Sequence, residues 1–166
     1  MSHQGGTGSP SAAALASRCI AALEARGETL ATAESLTAGL VSATLAGAPG
    51  ASVVLRGGIA AYATEVKVSL LGVDAAVVKA HGVISPECAE AMAEAARDRF
   101  AASWAVSATG VAGPDRQEDE PVGTVYVAVA GPRGVQVEQL RLAGSRQSIR
   151  EASVEAGLSL LLAALG

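Results

Sequence analysis

Apolar and polar positions along this chain switch repeatedly between a helical and a strand period. Over residues 12–26, AAALASRCIAALEAR, apolar residues recur at three- and four-residue spacing and Gly27 follows, which predicts a helix with a glycine stop. Residues 29–33, TLATA, read as a short buried strand, and TAESLTAGLVSATLAG then runs into a helix that ends near Leu45. SVVLRGGIAAY predicts a strand broken at Gly57 and Gly58, where a bulge or a close backbone approach is expected. ATEVKVSLLGV carries helical spacing at Val66, Leu70 and Leu71, and DAAVVKAHG predicts a second short helix. SPECAEAMAEAARDRF predicts a longer one, with Ser85 as N-cap and Pro86 in the first turn. SWAVSATG reads as a buried strand ending at Thr109-Gly110. VGTVYVAVA and VQVEQLRL predict a hairpin closed by GPRG, and SRQSIREASVEAGLSLLLAAL a long final helix. This order predicts an α/β fold with a mixed, mostly parallel sheet, one antiparallel partner and helices on both faces.

Composition sharpens the picture further. Half of the 166 residues are apolar, yet only Tyr62, Phe100, Trp104 and Tyr126 are aromatic, so the core must be Ala, Val and Leu packed closely. A formal charge of −4 leaves no basic footprint for nucleic acid. No apolar run reaches transmembrane length, so no membrane partner is expected. Cys19 and Cys88 are too few for a disulfide framework and are expected as buried free thiols in a cytoplasmic protein. Residues 1–11, MSHQGGTGSPS, read as a flexible leader ahead of a single domain over 12–166.

Four stretches carry candidate chemistry. In AESLTAG a strand hands over to a helix, where the first helical N–H groups lack internal partners and favour an anion. Ser35 there is either a helix cap or a nucleophile whose oxyanion those amides stabilise. In AYATEVKVSLL, Lys67 lies among apolar residues, where desolvation would make it a base near neutrality, and Tyr62 precedes it. A snorkelling surface lysine is the alternative. His81 is a rival base, but no G-x-S-x-G pattern supports a triad. One histidine beyond the leader and two distant cysteines predict no metal site. ATGVAGPD places Gly110 and Gly113 after a strand's C-terminal end, where open α/β sheets bind ligands, and Thr109 and the loop amides could hold a phosphate. The acidic EDEP beyond it is expected to be solvated. Arg146 and Arg150, four apart, share a face at the start of the last helix. They form an anion clamp or pair with surface carboxylates.

Together these stretches resemble the CinA C-terminal domain family, from about Ala12 to the end. The carriers are TAESLTAGLVSATLAGAPGAS, RGGIAAYATEVKVSLLGV, HGVISPECAEAMAEAAR, ATGVAGPD followed by PVGTVYVA, and SRQSIR. The resemblance implies a three-layer α/β/α sandwich and an amidohydrolase without cofactor. That enzyme converts nicotinamide mononucleotide (NMN) to nicotinic acid mononucleotide and ammonia. It implies Ser35 as nucleophile, activated by Lys67 and Tyr62, with amides at Thr37, Ala38 and Gly39 as oxyanion donors. Thr109, Gly110, Gly113, Arg146 and Arg150 become candidates for the ribose-phosphate, and Glu34 is grouped with the substrate contacts. A homodimer or larger assembly is also implied. Leu36 and Ala38 depart from the family's E-S-C-T-G-G, and Arg116 and Gln117 replace its glycines after the proline. These departures keep two alternatives open: a degenerate nucleotide- or protein-binding module linked to competence or DNA damage, and an amidase for another small carboxamide.

Overall fold

The computed structural model describes residues 9–166, so most of the expected leader lies outside the described residues. Its elements run α1 (Ala12–Arg26), β1 (Leu30–Glu34), α2 (Leu40–Ala46), α3 (Ala51–Val54), β2 (Leu55–Ala60) and α4 (Thr64–Val66). A π-helical turn over Lys67–Leu71 continues α4. Then come α5 (Ala75–His81), α6 (Pro86–Arg99), β3 (Trp104–Gly110), β4 (Thr124–Gly131), β5 (Gly134–Arg141) and α7 (Arg146–Leu165).

The strands form one sheet in the order β2-β1-β3-β4-β5. β1 pairs in parallel with β2 and β3, whereas β4 pairs antiparallel with β3 and β5. The sheet is therefore mixed, and β4 alone runs against the other four, as the sequence pattern predicts. Alternation along the strands separates its two faces. Leu30, Trp104, Val106 and Val129 pack with α1, α2 and α7 on one side. Ala31, Ala33, Ala105, Ala128 and Ala130 face α6 on the other. That second face consists largely of methyl groups, which lets Ala89, Ala93 and Ala96 of α6 approach the sheet closely.

One expected element changes. Ala51–Val54 forms a helical turn, and β2 begins only at Leu55. Gly50, at φ 84°, turns the chain there, and burial of Ala51 and Val54 against the α1 layer overrides the strand propensity of Val53 and Val54. The glycine pair in β2 behaves as predicted. The register with β1 slips between Leu30–Leu55 and Ala31–Gly57, and a Cβ on Gly58 would stand 2.0 Å from Thr32 Oγ1.

β1 lies between β2 and β3, so the chain leaves it on one side and later returns on the other. The C-terminal ends of β1 and β3 are therefore a topological switch point, the position where open α/β sheets form ligand crevices.

Candidate active site

Ser35 stands directly beyond β1 and its N–H donates to Ala108 O at 2.9 Å, which extends the β1–β3 ladder by one residue. The chain then turns sharply. Ala38 N–H donates to Ser35 O at 3.1 Å and Leu40 N–H to Thr37 O at 3.0 Å. Ala38 and Gly39 both take positive φ, 49° and 102°. This is a turn ahead of the helix, so α2 begins at Leu40 rather than within the ESLT stretch.

Two side chains brace the turn. The Glu34 carboxylate, 1% exposed, accepts hydrogen bonds from Val41 N–H at 2.7 Å and Ser42 N–H at 3.1 Å. It caps α2 and favours the positive end of the helix dipole. Arg150 donates to Leu36 O at 2.9 Å and to Thr37 O at 3.1 Å. Neither residue lines the cleft, which corrects their grouping with the substrate contacts. The same geometry takes Ala38 N–H out of the set of free oxyanion donors. Among the described residues, the N–H groups of Leu36, Thr37 and Gly39 have no protein acceptor. Thr37 Oγ1 is also buried without a partner among them.

Lys67 is the largest fully buried side chain, 1% exposed. The π-turn brings it there: Gly72 and Val73 N–H groups close back on Lys67 O at 3.1 and 2.9 Å while Leu71 fills the core. Such wide turns are frequent at functional sites. Nζ lies 2.9 Å from Ser35 Oγ, 2.8 Å from Ala61 O and 3.2 Å from Tyr62 O. Desolvation pushes the Lys67 pKa below the usual lysine range, opposed in part by Cys88, Glu118 and Glu65. Two of the three partners are carbonyls, which only accept. A neutral amine has two N–H groups for those carbonyls and one lone pair for the Ser35 hydroxyl proton.

The phenol of Tyr62 is elsewhere. Ala61 is buried and Tyr62 is 55% exposed, because successive residues leaving β2 point to opposite sides. Lys67 is held by the Tyr62 main-chain carbonyl, while the phenol oxygen accepts from Arg146 Nη2 at 2.6 Å. The hydroxyl expected to help activate Ser35 thus bridges to Arg146 instead. Arg146 also donates to Gly113 O at 2.5 Å. Thr109 is buried and its hydroxyl donates to Val83 O at 2.6 Å, away from the expected phosphate site. Gly110 and Gly113 do reach the site, and a Cβ on Gly110 would stand 2.6 Å from Thr124 O.

These elements enclose a cleft of about 140 Å³ lined by Ser35, Leu36, Tyr62, Gly110 to Gly113, Asp115, Gln117 and Arg146. That is below the ~300 Å³ and upward typical of whole-ligand sites, so the cleft encloses one end of a larger ligand. A wider groove of about 390 Å³ near Gly72 and Arg99 is lined by no hydroxyl, thiol or amine. The rival base His81 is half-exposed, 3.6 Å from Glu87. No group of three or more His, Cys, Asp or Glu side chains gathers for a metal among the described residues. Cys19 and Cys88 are buried free thiols, pushed by burial to about 12 and about 11. No helix among the described residues is long and apolar enough to cross a membrane.

Residues 12–165 match the family described as the CinA C-terminal domain. The chain belongs to the CinA family. It is 48% identical over 136 residues to a CinA-like protein of Frankia casuarinae, covering 82% of this chain and 31% of that protein. It is 45% identical over 147 residues to a CinA-like protein of Anaeromyxobacter sp., covering 88% and 36%. The chain thus spans about a third of the length of these relatives. Among solved structures, a CinA superfamily protein from Enterobacter cloacae superposes with a TM-score of 0.94 at 26% identity, covering 100% of this chain and 99% of that one. The competence/damage inducible protein CihA from Agrobacterium tumefaciens gives 0.87 at 34%, covering 92% and 94%.

Within the CinA frame the departures acquire physical content. The position of Ala38, a glycine in the family motif, is one of positive φ, where glycine is unstrained and alanine is not. Sequence reasoning missed the Leu36 amide as a donor candidate, although it follows the serine as in other strand-to-helix nucleophile turns. It also missed Asp115 as a cleft residue.

Proposed function

We propose that this chain is an amidohydrolase that cleaves the carboxamide of NMN to nicotinic acid mononucleotide and ammonia, with Ser35 as nucleophile and Lys67 as general base. The observation that carries the reading is the buried Lys67 amine 2.9 Å from Ser35 Oγ, with two carbonyls taking its remaining hydrogens.

Lys67 takes the hydroxyl proton as Ser35 Oγ attacks the carboxamide carbon. The oxyanion is met by free N–H groups of the turn, with Leu36, Thr37 and Gly39 as candidates. The tetrahedral intermediate collapses, the C–N bond breaks, and the Lys67 ammonium returns its proton to the leaving ammonia. Water then attacks the ester carbon and gives a proton to Lys67, which restores it to Ser35 Oγ as the acid leaves. Arg146, at the cleft mouth with two acceptors among the described residues for its five N–H donors, suits the anionic end of the nucleotide. Arg150 and Glu34 act on the turn.

The test is ammonia release from NMN by the purified protein beside Ser35→Ala and Lys67→Ala. Removing the base is expected to lower kcat by about 10²–10⁴, and removing the nucleophile to bring it to background. Full activity in both folded variants would sink the mechanism. Absence of release from folded wild type would sink the substrate.

A further inference from the structure

The acidic stretch after the cleft is not simply solvated. Gln117 N–H donates to Glu120 O at 3.3 Å and Glu120 N–H to Gln117 O at 2.8 Å, closing a two-residue turn. Its central residues, Glu118 and Asp119, take φ of 50° and 62°. Turns with two such residues favour Asn-Gly, and a glutamate there is strained. Local preference therefore does not account for Glu118.

Its side chain does. Glu118 Oε2 accepts from Val83 N–H at 2.9 Å and from Ile84 N–H at 3.1 Å. Gly82 leaves the space, since a Cβ there would stand 2.5 Å from that oxygen. The receiving segment is itself fixed. Val83 O accepts from Thr109 at the end of β3, and Ser85, the α6 N-cap, donates to Gly82 O at 3.0 Å. One carboxylate thus ties the loop to both β3 and α6.

We propose that Glu118 is a positioning residue that clasps the loop beyond Gly113 onto the Gly82–Ile84 segment and so holds Asp115 and Gln117 in the cleft wall. Gln117 adjoins Glu118, and both Gln117 and Asp115 line the cleft with Ser35 and Arg146. With the clasp open, the substrate would have to order this wall on binding, and apparent affinity would fall without a change in the reacting groups. The catalytic part of this proposal rests on the amidohydrolase reading.

The test compares wild type, Glu118→Gly and Glu118→Gln. Glycine keeps the left-handed turn unstrained and removes the carboxylate, and glutamine keeps one acceptor oxygen. The first readout is amide exchange at Val83 and Ile84 without substrate. It should accelerate at least tenfold in Glu118→Gly, while Met92 in the core of α6 keeps its protection. The second is kinetics with NMN at a pH above the Lys67 midpoint, where loss of the Glu118 charge leaves the base neutral as before: KM should rise about tenfold with kcat within twofold, and Glu118→Gln should fall between. Unchanged exchange would overturn the clasp. Faster exchange with unchanged KM, or a loss confined to kcat, would overturn the positioning role. A wild type that releases no ammonia counts against the amidohydrolase reading alone, because the exchange comparison still decides the clasp.

Discussion

Replacing Glu34 by glutamine separates a structural from a substrate-binding role for this carboxylate. The side chain is 1% exposed and bonds two backbone N–H groups at the start of α2, at 2.7 and 3.1 Å. Hydrogen bonds to a charged group contribute about 1.5–3 kcal/mol each. Glutamine keeps one acceptor oxygen and turns an NH₂ group toward the other N–H. One bond is lost and a buried donor is left facing a donor, so Glu34→Gln should cost about 2–3 kcal/mol. Glu34→Ala, which removes both bonds, should cost about 3–5 kcal/mol.

At about 2–4 °C per kcal/mol for a chain of this size, Glu34→Gln should lower Tm by roughly 4–12 °C. Urea unfolding should show the same loss as a lower midpoint at constant slope. Ser35 follows Glu34 directly, and the displaced turn carries the nucleophile, so kcat should fall while KM changes little. An unchanged Tm together with a raised KM would refute this reasoning and return Glu34 to the substrate.

Three further outcomes follow from the same site. If neutral Lys67 is the base, kcat/KM should fall on the acid side with a midpoint below the usual lysine range, and Glu118→Gln, which removes a charge that raises the Lys67 pKa, should move that midpoint to lower pH; a pH–rate profile checks both. Ala38→Gly should raise stability by about 0.5 kcal/mol in chemical denaturation, because relief of the left-handed alanine (about 1–2 kcal/mol) exceeds the added chain entropy of glycine (about 0.4–1 kcal/mol). Arg146→Ala should raise KM for NMN at nearly constant Tm, whereas Arg150→Ala, which frees two turn carbonyls, should lower Tm and kcat together.

The fold was legible because its signals are local and agree with one another. Ser85 and Pro86 start α6, Gly27 ends α1 in the left-handed conformation, and the glycine pair of β2 marks the slip in register. The first part of the expected strand, Ser52–Val54, is helical because β-branched residues fit either state, and the core contacts of Ala51 and Val54 decided it. In the site, residue type and setting left Ser35 between helix cap and nucleophile and Lys67 between base and surface lysine, and the fold brings the two side chains within 2.9 Å. Side-chain direction was not legible in the sequence. Glu34, Thr109 and Arg150 all stand close to the cleft in sequence terms, yet each turns its polar atoms to a main-chain partner. A one-dimensional pattern places such a residue near a site without showing which way it faces. The clasp of Glu118 on Val83 spans 35 positions and left no local trace.

Lys67 shows why stability and reactivity oppose each other here. Desolvation lowers its folded pKa below the unfolded value, so the unfolded chain binds more protons between the two. Its stability penalty is absent above the ordinary lysine value, grows as pH falls through that window, and is complete below the folded value. A surface lysine would carry no such penalty and would be protonated at neutral pH, useless as a base. The oxygens around Nζ limit the loss. Ala61 O and Tyr62 O accept two hydrogens in either protonation state, and only Ser35 Oγ must change from acceptor to donor as the amine loses its proton. Titration of the lysine and orientation of the serine hydroxyl are therefore one event, and it occurs at the atom proposed to attack.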